Sequence, residues 1–350
     1  MAKYHELFYY ILVDEFQDTN HAQYMLTKLL AQKHKNLTVV GDFSQSIYSW
    51  RGAEIKNLQK LEKDFSDLKT FYLEENYRST QNILNFAYDV ISKNQTHPIL
   101  KLYTNNKSGY DVVVKQTENE QYEALFVSEQ IKDLVSDESG YSTTAVLYRI
   151  NAQSRIIEEA FLSLGIPYTL IGGTRFYERR EIKDILSYLR LLINPEDEVS
   201  LKRIVKLGKR RFADFKDVYN KIREKSAISS TIELIDEVLQ KTKYVQLYDE
   251  AKEEDYARLE NIKELRSVAE NFPQIHDFLE QVTLVESEYS ESEKRFKNKK
   301  GVHMMTFHQA KGLEFKNVFI VGAEEGILPH SRSIYDKMSL EEERRLFYVG

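Results

Sequence analysis

Two apolar runs, FYYILVD at 8–14 and NLTVVGD at 36–42, flank a stretch with helical patterning at 21–32. Strand, helix and strand in so short a span form a βαβ unit, which commits both strands to a parallel sheet. Ligands of such sheets gather outside the carboxyl ends of the strands. Each run ends there on an acid, Asp14 or Asp42. The first run continues as DEFQDTN, 14–20. An adjacent acid pair at a strand end suits phosphoryl transfer: Asp14 would hold Mg²⁺, usually through water, and Glu15 would orient and deprotonate the attacking water. Taken alone, such a pair is more often a surface charge.

Three further stretches carry candidate chemistry. GDFSQSIYSWRGA, 41–53, follows the second run directly. Its amide Gln45 suits a γ-phosphate sensor, and Tyr48, Trp50 and Arg51 suit stacking on unpaired bases. A packed loop with Trp50 in the core is the plainer alternative. LEENYRST, 73–80, sets Tyr77 and Arg78 just before a helix start, where an arginine is able to reach a phosphate. MMTFHQAKGLEFKNVFIVG, 304–322, places His308, Lys311 and Glu314 between two strand patterns. His308 has no partner ligands at metal-site spacing, so phosphate or sugar contacts suit this group better.

The rest of the chain alternates in the same way. Ser79 is expected to cap a helix with Ile83, Phe86, Ala87, Val90 and Ile91 on one face. Strands are expected at 111–117, 143–149, 167–171, 302–307 and 317–323, and helices at 119–135, 152–164 and 178–193. From 196 to about 290 no segment has strand patterning, and charge-rich amphipathic stretches fill it, which indicates a helical insertion. The basic stretch KRFKNKK, 294–300, is either a solvated linker or a phosphate-contacting strip.

Composition narrows the classes. There are no cysteines, which excludes disulfides and thiolate metal sites. No apolar run approaches a membrane span and the first ten residues have no secretory pattern, so a cytoplasmic setting is expected. A net charge of -6 argues against holding nucleic acid by bulk charge, although a local basic groove remains compatible with it.

In order and spacing these four blocks resemble the UvrD/PcrA/Rep family of superfamily-one DNA helicases. Supporting stretches are AVLYRINAQSR (145–155), FYERREIKDILSYLR (176–190), EEGILPHSRS (324–333) and EEERRLFYVG (341–350). The resemblance covers nearly the whole chain, most weakly between 208 and 250. It implies an α/β fold of RecA-like, P-loop NTPase-type parallel sheets, the first one incomplete, with an all-helical inserted domain. The implied division is 1–72, the C-terminal part of the first motor domain; 73–195, the first part of the second; 196–298, a helical accessory insertion; and 299–350, the second part of the second motor. ATP and Mg²⁺ are the implied cofactors and single-stranded DNA the implied partner, with translocation 3′ to 5′. Asp14 would hold Mg²⁺ and Glu15 would activate water. Gln45 would couple the γ-phosphate to the DNA loop, and Arg78 would reach that phosphate. Tyr77 would stack on adenine, Glu314 would contact the sugar, and Tyr48, Trp50, Arg51 and His308 would meet DNA. Thr306 and Lys311 are candidates for phosphate contact or relay.

Three departures qualify this. No GxxxxGK[ST] occurs; the nearest fragment, LGKRR at 207–211, lacks the flanking glycine and the Ser/Thr. The sequence reaches YVG where the family continues into TRA with a second catalytic arginine. Where relatives carry a KRGIG-like duplex-contacting turn, this chain has GKRRFADF, 208–215. The expectation is therefore a partial motor without ATP turnover of its own, with an open edge on its first sheet that another chain fills, unless this portion packs entirely on the second motor. The alternative is a non-catalytic module that binds DNA or a protein partner.

Overall fold

The computed structural model describes residues 1–135, 138–224, 229–296 and 300–350. By its contacts the chain divides into two units: Met1–Gln116, Phe307–Glu314 and Gly322–Gly350 form the first, and Thr117–Thr306 with Phe315–Val321 the second.

In the first unit, β1 (Ile11–Val13) and β2 (Leu37–Val39) pair in parallel, with Ile11 opposite Leu37 and Val13 opposite Val39. The crossover helix His21–Ala31 starts at a capping box. The Asn20 side chain accepts the Gln23 N–H, and the Gln23 side chain accepts the Asn20 N–H. Two otherwise orphaned donors are thus satisfied where the chain must turn. Val13, Leu37 and Val39 on one sheet face pack with buried Phe16, Tyr24 and Leu61. The side chain between them in the strand points the opposite way, because strand residues alternate, and Leu12 is 76% exposed. The helix Lys56–Asp64 is tied to the crossover helix through Asp64, which accepts from Tyr24 and pairs with Lys28 at 2.8 Å.

Two expectations in this unit are corrected. The helix Gln81–Ile91 has Thr80, not Ser79, at its N-cap, and Thr80 makes no side-chain cap bond. Ser79 instead gives its N–H to Asn76 Oδ1 at 2.8 Å, inside the preceding turn. No strand forms at 111–117. That segment has no regular secondary structure, Val113 and Val114 are exposed, and no strand among the described residues pairs with it.

The second unit is built on a four-stranded parallel sheet of order β4–β5–β3–β6: β3 is Thr144–Tyr148, β4 Tyr168–Leu170, β5 Val302–Thr306 and β6 Asn317–Ile320. β3 is buried at every position, as a central parallel strand covered on both faces requires. Since β5 enters between β3 and β4 after more than a hundred intervening residues, the helices before it are an insertion into a continuous sheet. These helices are Glu198–Lys206, Lys209–Glu224, Thr231–Thr242, Glu253–Glu270 and Ile275–Phe296. Their apolar faces, including Ile235, Leu265 and Phe278, share one core with Ile182, Ile185 and Leu189 of the helix Arg180–Ile193. GKRRFADF opens the helix Lys209–Glu224 rather than forming a turn. Residues 297–299 of the basic stretch lie outside the described residues.

A buried polar hub reinforces the same join. Arg179 donates to Asn261 Oδ1 at 2.7 Å, Ser154 Oγ at 2.7 Å, and the carbonyls of Asn151 and Thr174. Ser154 in turn donates to Glu158 at 2.7 Å. Among the described residues no helix is long and apolar enough to cross a membrane.

Candidate functional site

β1 ends by delivering Asp14 and Glu15 to its carboxyl end. Glu15 adopts φ 50°, in the left-handed region that costs a residue with a Cβ, so this backbone is held by its surroundings. Its N–H donates to Asp14 Oδ1 at 2.8 Å. Its carboxylate accepts Gln17 Nε2 at 2.6 Å. Gln17 is buried and uses its other side-chain atom, Oε1, to accept the Asp42 N–H at 3.0 Å. One amide thereby bridges the ends of β1 and β2. The bridge requires Gly41: a Cβ there would stand 2.7 Å from Gln17 Oε1. Asp42 accepts the Ser44 N–H at 2.8 Å and Gln45 Nε2 at 2.9 Å, so Gln45 is oriented by the acid that ends β2.

Lys311 closes this network from the turn after the short helix Phe307–Ala310. Its side chain is only 8% exposed. The ammonium donates to Asp18 Oδ2 and to the Gln45 carbonyl at 2.9 Å, and lies 3.2 Å from Glu15 Oε2. Burial raises the Asp18 carboxyl above its ordinary value, while Lys311 opposes the shift. Asp18 Oδ1 is buried without a hydrogen-bond partner. Among the described residues no group of three or more His, Cys, Asp or Glu side chains converges as a metal cage. One accessible carboxylate, Asp14, fits a Mg²⁺ ion that keeps waters and takes its other ligands from substrate phosphates.

A second group lies at 76–78 and 314. Asn76 Oδ1 accepts the N–H of Arg78 at 3.0 Å, turning the chain before the helix. Arg78 Nε pairs with Glu314 at 2.8 Å, both side chains being exposed. Tyr77 is 78% exposed, with its hydroxyl on Glu75 at 2.9 Å, so its ring face is open for stacking.

A third group is aromatic. The Tyr48 hydroxyl donates to the His308 carbonyl at 2.9 Å, and the Trp50 and His308 rings meet edge to face at 6.2 Å. The Arg51 guanidinium lies over Trp50 at 4.5 Å from the ring centre. Trp50 is 44% exposed, so the core does not consume it. Lys311 also lies 5.5 Å over the Tyr48 ring, which joins this group to the acidic one. Thr306 belongs to the second unit, where it is buried at the end of β5.

Gln17 and Asp18 are the site residues that sequence reading passes over. Both sit in DEFQDTN, and two polar residues so close behind an acid pair are a signal. Their roles depend on Asp42 and Lys311, which are remote in sequence.

Comparison with known proteins identifies the family. The family model for the UvrD/REP helicase N-terminal domain matches residues 1–66. That for the UvrD-like helicase C-terminal domain matches 71–249 and 213–350. The chain is 40% identical over 396 residues to the ATP-dependent DNA helicase PcrA of Bacillus subtilis, covering 99% of this chain and 54% of the relative. It is 41% identical over 397 residues to the protein of the same name in Staphylococcus aureus strain COL, with the same coverage. The chain thus spans about half the length of these curated relatives. With family models matching along nearly its whole length, this chain belongs to the UvrD-like helicase family.

Proposed function

We propose that this chain is the working face of an ATP-dependent DNA translocase of the PcrA type, acting 3′ to 5′ on single strands in a cytoplasmic setting. The observation that carries the reading is the Glu15–Gln17–Asp42–Gln45 network, which meets the Tyr48–Trp50–His308 cluster through Lys311. In this reading the acid pair faces nucleotide and the aromatic cluster faces unpaired bases, and Lys311 is the residue that touches both groups.

In this reading Glu15 takes the proton of the attacking water, and Gln17 holds its carboxylate in place. Asp14 holds Mg²⁺, which when bound offsets charge on the phosphate oxygens. Gln45 senses the γ-phosphate, and Asp42 fixes its amide. Arg78 leaves Glu314 to reach phosphate, Glu314 turns to the sugar, and Tyr77 stacks on adenine. Tyr48, Trp50, Arg51 and His308 meet the DNA strand, and Thr306 and Lys311 serve phosphate contact or relay. The four-part domain division set out above belongs to the same proposal.

Within these 350 residues there is no GxxxxGK[ST], the loop whose backbone N–H groups cradle phosphates. Positioning and charge stabilisation supply most of the catalysis of phosphoryl transfer. The chain alone is therefore expected to bind single-stranded DNA without turning over ATP. A polypeptide bearing such a loop, packed on the β1–β2 sheet, would complete the site; parallel sheets bury both faces, and Leu12 leaves one bare. The test is ATP turnover with single-stranded DNA, alone and with that polypeptide added. Turnover by the chain alone, abolished by Glu15→Gln, would overturn the partial-motor reading. The absent phosphate loop also favours a second reading, a DNA- or partner-binding module without hydrolysis; restored turnover on complementation excludes it.

A further inference from the structure

The last helix, Lys337–Val349, carries EEERR at 341–345, and four of these side chains bond backbone outside the helix, Glu343 among them through the His330 N–H at 3.1 Å. Glu341 is buried and accepts the N–H groups of Gln95 at 3.0 Å and Thr96 at 3.1 Å. Glu342 accepts the Ser49 N–H at 3.1 Å and the Ser49 hydroxyl. Arg345 is buried and donates Nε to the Ser46 carbonyl at 2.7 Å. Its Nη1 is buried with no partner. A guanidinium held in that state has little freedom to seek another acceptor, because leaving the Ser46 carbonyl would orphan a second donor.

Glu342 and Arg345 are three residues apart and so lie on one helix face. They grip the two ends of one short segment: Arg345 takes the carbonyl of Ser46, next after Gln45, and Glu342 takes the N–H of Ser49, next before Trp50. Between them Ile47 is fully buried. Lys311 holds the Gln45 carbonyl as well. We propose that Glu342 and Arg345 are positioning residues which clamp residues 46–49 as a strut of fixed length, so that the nucleotide-facing Gln45 and the stacking Trp50 move as one body with the last helix. The assignment of Gln45 and Trp50 to nucleotide and DNA rests on the function proposed above; the clamp itself does not.

Helix and strut are also anchored from behind. Glu341 fixes the helix to the 95–96 turn, Asn94 Nδ2 donates to the Glu341 carbonyl at 2.9 Å, and Phe347 packs on Phe86 and Phe307. A rigid helix therefore connects the turn at 94–96 with the strut. Charged side chains on neutral backbone groups suit such a connection, because these bonds are short, directional and stronger than neutral pairs.

Trp50 is the only tryptophan, so intrinsic fluorescence of the full 350-residue chain reads this loop directly. The test compares wild type with Glu342→Gln, Ser49→Ala and the double variant, using acrylamide quenching of Trp50, thermal midpoint and affinity for fluorescent oligo-dT. Glu342→Gln, which keeps an acceptor and loses the charge, is expected to raise the quenching constant and to weaken oligo-dT about fivefold, near the net worth of one ordinary hydrogen bond. Ser49→Ala removes the hydroxyl bond to Glu342 and keeps the N–H bond, so it is expected to raise quenching less than Glu342→Gln does, and the double variant to add less than the sum of the two. Arg345→Lys, which keeps a charge but loses the directed Nε donor, is expected to raise quenching in the same sense. Unchanged quenching in Glu342→Gln, or a lower thermal midpoint with quenching unchanged, overturns the clamp. Failure of the DNA reading shows separately, as unaltered oligo-dT affinity in Trp50→Ala, and the quenching comparison decides the clamp in either case.

Discussion

Lys311 places its ammonium 3.2 Å from the Glu15 carboxylate while donating to Asp18 and to the Gln45 carbonyl. One cation thus neutralises the acids at the end of β1 and restrains the loop after β2. Its own side chain is nearly buried, so its loss is not made good by water.

Lys311→Met is expected to destabilise the first unit by about 2–3 kcal/mol at pH 7, because it strands the Asp18 carboxylate. The Asp18 carboxyl already lies above its ordinary value of 3.8 through burial, and losing Lys311 raises it further. A carboxyl raised on folding costs stability above its folded value and costs nothing below its unfolded one. The penalty should therefore be full at neutral pH and shrink as pH falls towards about 4. Urea unfolding at the two pH values measures it, and Asp18→Asn in the same chain should recover much of the loss at pH 7.

Trp50→Ala should weaken single-stranded DNA binding by roughly 1–3 kcal/mol, the usual worth of one stacked base. Binding should also weaken with salt, since Arg51 supplies positive charge in the aromatic group. Fluorescence anisotropy titrations at two salt concentrations check both. Unaltered affinity in a folded variant would remove Trp50 from the binding surface.

Glu158 sets a pH dependence in the second unit. Burial pushes its carboxyl up to about 7, against the hydrogen bond from Ser154 and the charge of Arg179. Because the folded value exceeds the unfolded one, stability should fall as pH rises from about 4.5 to about 7, by on the order of 3 kcal/mol. Glu158→Gln should flatten that slope while keeping an acceptor for Ser154. Denaturant midpoints across the window provide the measurement.

Gly301 and Gly173 should respond differently to alanine. A Cβ at Gly301 would lie 2.5 Å from the backbone of Pro167 and Tyr168, where β4 meets β5. Backbone cannot swing aside, so Gly301→Ala should cost about 3 kcal/mol or more. A methyl group at Gly173 would meet nothing within 4 Å, and Gly173→Ala should leave the thermal midpoint nearly unchanged. Thermal melts of the two variants make the comparison.

Local pattern was enough for β1, β2, their crossover helix and the acids that follow, because a period of two or of 3.6 is written into neighbouring residues. It was enough, too, for the helical stretch between β4 and β5. It failed at 111–117, whose β-branched residues have strand propensity but no strand to pair with among the described residues. A ladder is a property of two segments, and only one is legible at a time.

The amino-acid sequence by itself determined which chemical groups stand at the ends of β1 and β2, and the family to which the chain belongs. Only the tertiary structure decided what those groups do to one another. Gln17 joins the two strand ends, Lys311 returns across nearly three hundred residues to Asp18, and Arg345 takes the carbonyl of Ser46. The reason is physical: periodicity reports the burial of one segment, whereas a hydrogen bond needs two partners whose meeting is set by the packing of everything between them.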